Sequence, residues 1–159
     1  GDMVIPLTNG LVDVSAADGG SVAILGVMAG CQYTDLSGKP VFTNQYPGTS
    51  SLKSGTEATV FVYDDPAQVY EVNCDATLTN LVTATALIHS NAEGAGFGSE
   101  TANGISSGEI SVASAGATTA TDNFRIVGFK DVPSIDYAAA GVVALVKLNL
   151  PFHVATTGI

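Results

Sequence analysis

The stretch ATVFVYDDPAQVYEVNC, residues 58–74, decides the fold predicted for this chain. Two runs of β-branched and aromatic residues flank Asp64-Asp65-Pro66. Proline fixes φ and aspartate side chains bond nearby backbone, so this tripeptide favours a tight reversal between two strands. Side chains alternate across a strand, which places Tyr70, Val72 and Cys74 on one face, the predicted core face.

Similar strand-forming runs, bounded by glycine, proline, asparagine and aspartate, recur along the chain. Asn9-Gly10 supplies the positive φ values of a hairpin turn between residues 4–7 and 11–14. Further strands are predicted at residues 22–28, 41–46, 109–113, 124–129 and 142–149.

Two segments lack the strand pattern. Residues 78–87 form the only predicted helix, with Thr77 as its N-cap. Residues 91–108 consist largely of glycine, serine, alanine and asparagine, and such a composition predicts an exposed loop.

About eight or nine short strands with regular turn signals predict an all-β fold, a small β-barrel or sandwich with extended terminal arms and at most one short helix. A chain of 159 residues with 46% hydrophobic residues is long and apolar enough for one core. We therefore expect a single domain over residues 1–159. Residues 1–56 form an N-terminal arm and the first strands, 57–150 a β-barrel body, and 151–159 a C-terminal tail.

The charge balance disfavours two classes of partner. Fifteen acidic and five basic residues give a net charge of -10, whereas nucleic-acid binding depends on lysine and arginine neutralising phosphates. An anionic membrane surface is disfavoured for the same reason, and no apolar run reaches the 18 residues or so of a membrane-spanning helix. Charged residues make up only 13% of the chain. Such a charge-poor surface favours coverage by neighbouring proteins.

Candidate catalytic residues are few. Gly104-Ile105-Ser106-Ser107-Gly108 matches the G-x-S-x-G nucleophile elbow, which requires a strand before the serine and a helix after it. Here the match follows a Gly/Ser-rich segment and precedes a predicted strand, so a chance match is favoured over a serine hydrolase. His89 and His153 lie in no recognisable nucleophile context. The chain is predicted not to be an enzyme, with no catalytic residues.

Metal and cofactor sites are also not predicted. Asp64-Asp65 and Asp122-Asn123 could ligate a hard cation, but no EF-hand spacing is present and turn formation is the favoured role. No phosphate-binding glycine loop occurs. Cys31 and Cys74 lack zinc spacing, and two buried thiols are favoured over a disulfide.

Five segments, in this order, resemble small virion proteins of tailed bacteriophages, marine ones especially. They are Tyr63-Asp64-Asp65-Pro66, Tyr70-Glu71-Val72-Asn73-Cys74-Asp75, Ala117-Thr118-Thr119-Ala120-Thr121, Phe124-Arg125-Ile126-Val127-Gly128-Phe129 and Val146-Lys147-Leu148-Asn149. An upstream portion, residues 25–33 and 46–49, is similar as well. The resemblance covers residues 20–150.

The resemblance implies a capsid decoration (cement) protein, which binds the outer surface of the phage head and stabilises it. Its implied partners are the major capsid protein and further copies of itself, as a dimer or trimer. The implied location is the outside of the virion, after assembly in the host cytoplasm. No cofactor, nucleic acid or membrane partner is implied.

We expect the two terminal stretches and the apolar run at residues 22–28 to make the contacts, since extended segments can add strands to a neighbour's sheet. The predicted interface residues are Val4, Ile5, Leu7, Val22, Ile24, Leu25, Phe152, His153 and Val154. A tail, fibre or knob subunit is an alternative, and a receptor- or glycan-binding module that uses exposed tyrosines is another.

Overall fold

The computed structural model describes residues 1–15, 23–97, 104–113, 115–116, 120–131 and 135–154, and it confirms an all-β fold. The strands are β1 (Met3–Pro6), β2 (Val12–Val14), β3 (Gly26–Thr34), β4 (Pro40–Thr43), β5 (Thr59–Tyr63), β6 (Tyr70–Cys74), β7 (Asn91–Ala92), β8 (Gly94–Ala95), β9 (Glu109–Ile110), β10 (Phe124–Phe129) and β11 (Val143–Leu148). One α-helix, α1 (Leu81–Ala86), and two short 3-10 turns (Thr49–Ser51 and Phe152–Val154) complete the described elements.

The first sheet is built on the long strand β3. Strand β5 pairs with residues 27–32 of β3, whereas β1 pairs with residues 26–27 and β4 with residues 31–34. Val27 of β3 pairs with both β1 and β5, and Cys31 pairs with both β4 and β5. Strands β1 and β4 therefore lie on the edge of β3 opposite β5. Strand β2 pairs with β1 through the predicted hairpin, in which Gly10 has a φ of 80°.

The second sheet has the order β7-β10-β11-β6-β9-β8 and is nearly closed into a barrel. Its two outermost strands, β7 and β8, are separated in sequence by the single residue Glu93. A chain that leaves one edge of a sheet and immediately forms the other edge forces the sheet to curl onto itself. The predicted barrel character is therefore confirmed for this sheet.

Closure places the Phe97 ring inside the barrel. The ring lies 5.7 Å from that of Phe124, centroid to centroid. A Cβ at Gly94 would come within 2.7 Å of the ring, and a Cβ at Gly108 would overlap its other edge. Residues 91–97 are thus partly buried barrel wall, and the prediction of an exposed loop for them was wrong. Small residues are needed here because the ring fills the space that side chains would occupy.

The deciding stretch forms two strands, as predicted, but they do not pair with each other. Strand β5 belongs to the first sheet, and β6 lies between β11 and β9 in the second. The reversal exists, since Asp65 Oδ1 accepts a hydrogen bond of 2.8 Å from Ala67 N. The turn carries the chain from one sheet to the other, so the predicted boundary of the barrel body at residue 57 assigns β5 to the wrong sheet.

The alternation of side chains along β6 predicted its core face correctly. Cys74 is buried in the main hydrophobic cluster, and Tyr70 and Val72 pack against that cluster. The Tyr70 hydroxyl also donates a 2.9 Å hydrogen bond to the Tyr63 carbonyl and so fastens β6 to the end of β5.

The helix begins later than predicted. Asn80, not Thr77, is the N-cap, and its side chain accepts a 2.9 Å hydrogen bond from Thr83 N. Thr79 has a φ of 70°, which lies outside the right-handed helical region and prevents the helix from starting further upstream.

The N-terminus is not an extended arm. Strand β1 lies in the sheet between β2 and β3, and Met3 and Val4 are buried. Apolar side chains at these two positions favour burial in the chain's own interior over exposure on an arm. Met3 and Ile24 belong to the same hydrophobic cluster as Phe124 of the barrel. The two sheets therefore share one core.

We predict that Gly108→Ala lowers the free energy of unfolding by roughly 1–3 kcal/mol, the usual range for overpacking a core. The Phe97 ring cannot move away from the new methyl group because its other edge contacts Gly94. Urea unfolding monitored by circular dichroism gives the value. Gly128→Ala is the matched control, because a Cβ there meets only the Leu145 side chain at 3.8 Å. Equal stability of Gly108→Ala and wild type would show that the ring is not held in this way.

Candidate functional surface

Some of the predicted interface residues lie in the interior of the protein and others lie on its surface. Val4 and Ile24 are 5% and 0% exposed, so their side chains contribute to the interior of the chain and not to its outer surface. Val22 lies outside the described residues. Ile5, Leu7, Leu25 and Phe152 are half-buried, whereas His153 and Val154 are exposed.

The three segments expected to make contacts do meet, but they meet one another. Leu25 N donates to Val4 O over 2.9 Å, and Phe152 N donates to Ile24 O over 2.8 Å. Ile24 also forms a parallel bridge with Pro151. These bonds join the start of the first sheet to the end of the last barrel strand. The segments hold the two sheets together, which explains why their apolar residues are buried.

Exposed apolar side chains are instead concentrated on the first sheet. Gln32 of β3 lies opposite Phe42 of β4 on one side and opposite Thr59 of β5 on the other. Directly paired residues share a face, and alternate residues of a strand do as well. Phe42, Phe61 and Tyr63 therefore point to the same side of the sheet, and we call these three side chains the aromatic face.

The aromatic face is open to solvent. Phe42, Phe61 and Tyr63 are 68%, 45% and 59% exposed. Gly30 lies opposite Phe61 and has no side chain to cover its ring. A side chain could not be added there, because a Cβ at Gly30 would lie 2.8 Å from the Thr43 carbonyl oxygen. The backbone geometry thus keeps the centre of this face uncovered.

A compact turn borders the aromatic face where β3 leads into β4. Asp35 Oδ1 accepts hydrogen bonds from the Ser37 hydroxyl, Ser37 N and Lys39 N, at 2.6, 2.9 and 2.8 Å. The hydrogen bond from the Ser37 hydroxyl is the main cause that lowers the pKa of Asp35, and the backbone bonds act in the same direction. The turn presents Leu36, which is 72% exposed, next to the strands that carry the aromatic face.

Ser106, the serine of the G-x-S-x-G match, is not presented as in a nucleophile elbow. Its hydroxyl oxygen accepts a 3.1 Å hydrogen bond from Gly108 N, and the strand β9 follows instead of a helix. The cavity of about 400 Å³ around it is lined by both sheets, including Ala29, Glu71 and Phe97. Within the described ranges, no cluster of three or more His, Cys, Asp or Glu residues could hold a metal ion.

The two cysteines are buried and are not joined by a disulfide. Cys31 lies in β3 of the first sheet and Cys74 in β6 of the barrel. The Cys31 thiol donates to the Gln45 carbonyl at 3.4 Å. Burial raises the pKa of Cys31, and burial, with a smaller effect from Asp75 and Glu109, raises the pKa of Cys74 to about 11. Both thiols therefore stay neutral near pH 7.

No family model, curated protein or solved structure matches the chain. Among the elements that the structure describes, no helix is long and apolar enough to cross a membrane. The surface of the first sheet is therefore the basis for assigning a function.

We predict that neither cysteine of the native protein reacts quickly with an aromatic disulfide reagent at about pH 8, because the nucleophile is the thiolate and both thiols are buried. Release of the coloured thiolate, measured by absorbance, should stay well below one equivalent. The same protein unfolded in guanidinium should release two equivalents, one for each of its two cysteines. Fast labelling of the native protein would contradict the buried placement.

We also predict that raising the pH from 9 to 11 destabilises the protein through Cys74, whose folded-state pKa of about 11 exceeds the ordinary value of 9.0. The unfolded chain loses this proton first, so the unfolded state gains stability as the pH rises through that window. Urea unfolding at several pH values measures the effect. In Cys74→Ala the free energy of unfolding should fall less steeply between these pH values, and identical slopes would contradict the assignment.

Proposed function

We propose that the protein is a structural component of a phage particle, a capsid decoration protein that attaches to the outside of the shell through the aromatic face. The observation that carries this proposal is the exposure of three aromatic side chains on one side of a well-paired sheet. Aromatic residues are enriched at the centres of protein interfaces, where charged residues are depleted. The resemblance of five segments, in this order, to phage virion proteins supports the same assignment.

The size of the aromatic face favours a repeated contact. If each ring loses about 100 Å² of apolar surface on binding, the three together contribute roughly 7 kcal/mol. Association of two proteins costs on the order of 4–15 kcal/mol in lost freedom of motion. The binding free energy of a single aromatic face is therefore close to zero. A shell that offers many identical sites, or a dimer or trimer of this protein that engages several sites at once, makes the attachment stable.

Stabilisation of the shell follows from mass action. A protein that binds the assembled shell and not its dissociated subunits lowers the free energy of the assembled form at every occupied site. The net charge of -10 is suited to this role, because it disfavours attachment to the nucleic acid that the shell encloses.

A tail, fibre or knob subunit is the second candidate. Such a subunit would use the same aromatic face for lateral contacts within a tail structure. The position of labelled protein on intact particles separates the two candidates, since a decoration protein covers the head and a tail subunit lies on one extension.

We predict that the double variant Phe42→Ser/Phe61→Ser binds shells at least tenfold more weakly than wild type, because it removes two of the three rings whose burial drives attachment. Cosedimentation of the protein with purified phage heads measures the bound fraction. Circular dichroism should show an unchanged fold, since both rings are largely outside the core.

The matched control is Leu81→Ser/Val82→Ser, which removes two apolar side chains of α1 that are 55% and 77% exposed. This control should bind like wild type. Equal binding by both double variants would remove the aromatic face from the proposal, and absence of wild-type binding to heads would refute the decoration role.

A further inference from the structure

We infer that a cavity over one face of the first sheet binds a small organic amine, whose apolar body fills the cavity and whose ammonium group meets Asp2. The cavity has a volume of about 720 Å³, which is the size of a small-molecule site, since such sites commonly measure roughly 300–1,000 Å³. We call it the valine cavity after four of its lining residues, Val4, Val12, Val14 and Val60.

The floor of the valine cavity is the face of the first sheet opposite the aromatic face. Val4, Met28 and Val60 line the cavity and come from β1, β3 and β5. The register of these strands places the three side chains on one side of the sheet. Phe61 follows Val60 in β5 and therefore points to the other side. The cavity and the aromatic face are thus separate surfaces.

The remaining lining residues come from two segments that border this floor. One is residues 10–14, which include β2, and the other is the connection from β4 to β5, residues 44–58. Leu11, Val14 and Tyr46, from these two segments, line the cavity and are exposed to solvent. A ligand with an apolar body would remove these side chains from water, and that burial would supply most of its affinity.

The Asp2 side chain faces the valine cavity. Asp2 and Val4 are alternate residues of an extended segment, so their side chains point to the same side, and both line the cavity. Met3, between them, is buried in the shared core on the opposite side. Asp2 Oδ1 is buried and has no hydrogen-bond partner among the described residues. An unpaired buried acceptor is costly and favours a ligand that brings a donor.

The charges around the valine cavity favour an organic cation. Asp13 and Glu57 line it together with Asp2. Among the described lining residues the one cationic group is the Gly1 ammonium, which donates a 2.9 Å hydrogen bond to the Met28 carbonyl. These carboxylates do not converge, since no cluster of three or more His, Cys, Asp or Glu in the described part of the chain could hold a metal ion. One ammonium group on an apolar body therefore fits the cavity better than a metal ion does.

A second copy of the chain is a poor occupant of the valine cavity. It carries five basic residues against fifteen acidic ones, so it offers few cations to an acidic cavity and adds repulsion between the two copies. The inference goes beyond the proposed function and does not depend on it, because the aromatic face lies on the other side of the sheet.

Two probes of nearly equal shape test the inference with the intact protein. Naphthylmethylamine carries an ammonium group near pH 7, whereas naphthylmethanol is neutral. Titration of each probe, followed by the amide chemical shifts of the protein in nuclear magnetic resonance spectra, gives the dissociation constants. We expect saturable binding of the amine and at least tenfold weaker binding of the alcohol, which lacks a charge-assisted hydrogen bond to Asp2.

Two protein variants locate the binding site. Asp2→Asn keeps the shape of the side chain and removes its charge, so it should weaken binding of the amine about tenfold and leave binding of the alcohol within about twofold of wild type. Val14→Trp fills the cavity from an exposed position and should weaken binding of both probes at least tenfold. Circular dichroism checks that both variants fold.

Two control variants test whether the effects are specific to the valine cavity. Asp131→Asn changes the net charge as Asp2→Asn does, but at an exposed position that does not line the cavity. Phe42→Ser/Phe61→Ser removes apolar rings from the opposite side of the sheet. Both controls should leave the affinity for the amine within about twofold of wild type.

Three results would overturn the inference. Absence of saturable amine binding, or equal affinity for the amine and the alcohol, would remove the role of the carboxylate. Amine binding that survives both Asp2→Asn and Val14→Trp would place the probe outside the valine cavity. Loss of amine binding in Phe42→Ser/Phe61→Ser would assign the probe to the aromatic face.

Discussion

The structure depends on closure of the second sheet around the Phe97 ring. Strands β7 and β8 form the two outer positions of that sheet although only Glu93 separates them. They can do so because Gly94 and Gly108 leave room for the ring on both of its edges. Asn123 reinforces the closure, since its side-chain oxygen accepts a hydrogen bond from Gly94 N at 3.3 Å. The result is a nearly closed barrel that contributes most of the core residues.

The barrel turns most of its apolar side chains inward, and the exposed aromatic side chains Phe42, Phe61 and Tyr63 lie on the first sheet. Strand β5 illustrates this division. Phe61 and Tyr63 point to one side and form most of the aromatic face, whereas Val60 and Val62 point to the other side and are half-buried. A single strand thus carries exposed rings on one side and half-buried valines on the other.

The chain carries few charged residues. Only 13% of the residues are charged, and the described ion pair between Lys130 and Glu71 is a solvent-exposed pair of the kind that contributes little to stability. Stability therefore comes from the shared apolar core, in which Met3 and Ile24 connect the first sheet to the barrel. Those same residues belong to segments that the sequence suggested as contact surfaces. Their burial leaves the exposed rings, such as Phe42 and Phe61, as the candidates for contact with another protein.

The sequence alone determined the features that are local. The alternation in residues 70–74 identified a strand and its core face, and Asn9-Gly10 identified a hairpin, because side-chain direction and turn geometry depend on neighbouring residues. Only the tertiary structure decided which strands pair. Strand β5 pairs with β3 and strand β6 pairs with β11 and β9, so two strands adjacent in sequence belong to different sheets. The exposed rings of β5 were not predictable either, since both of its faces are apolar and alternation cannot tell which one is covered. Residues 91–97 show no strand pattern in the sequence. The Phe97 ring fills the space beside Gly94, where a side chain would otherwise lie, and the position of that ring depends on the fold.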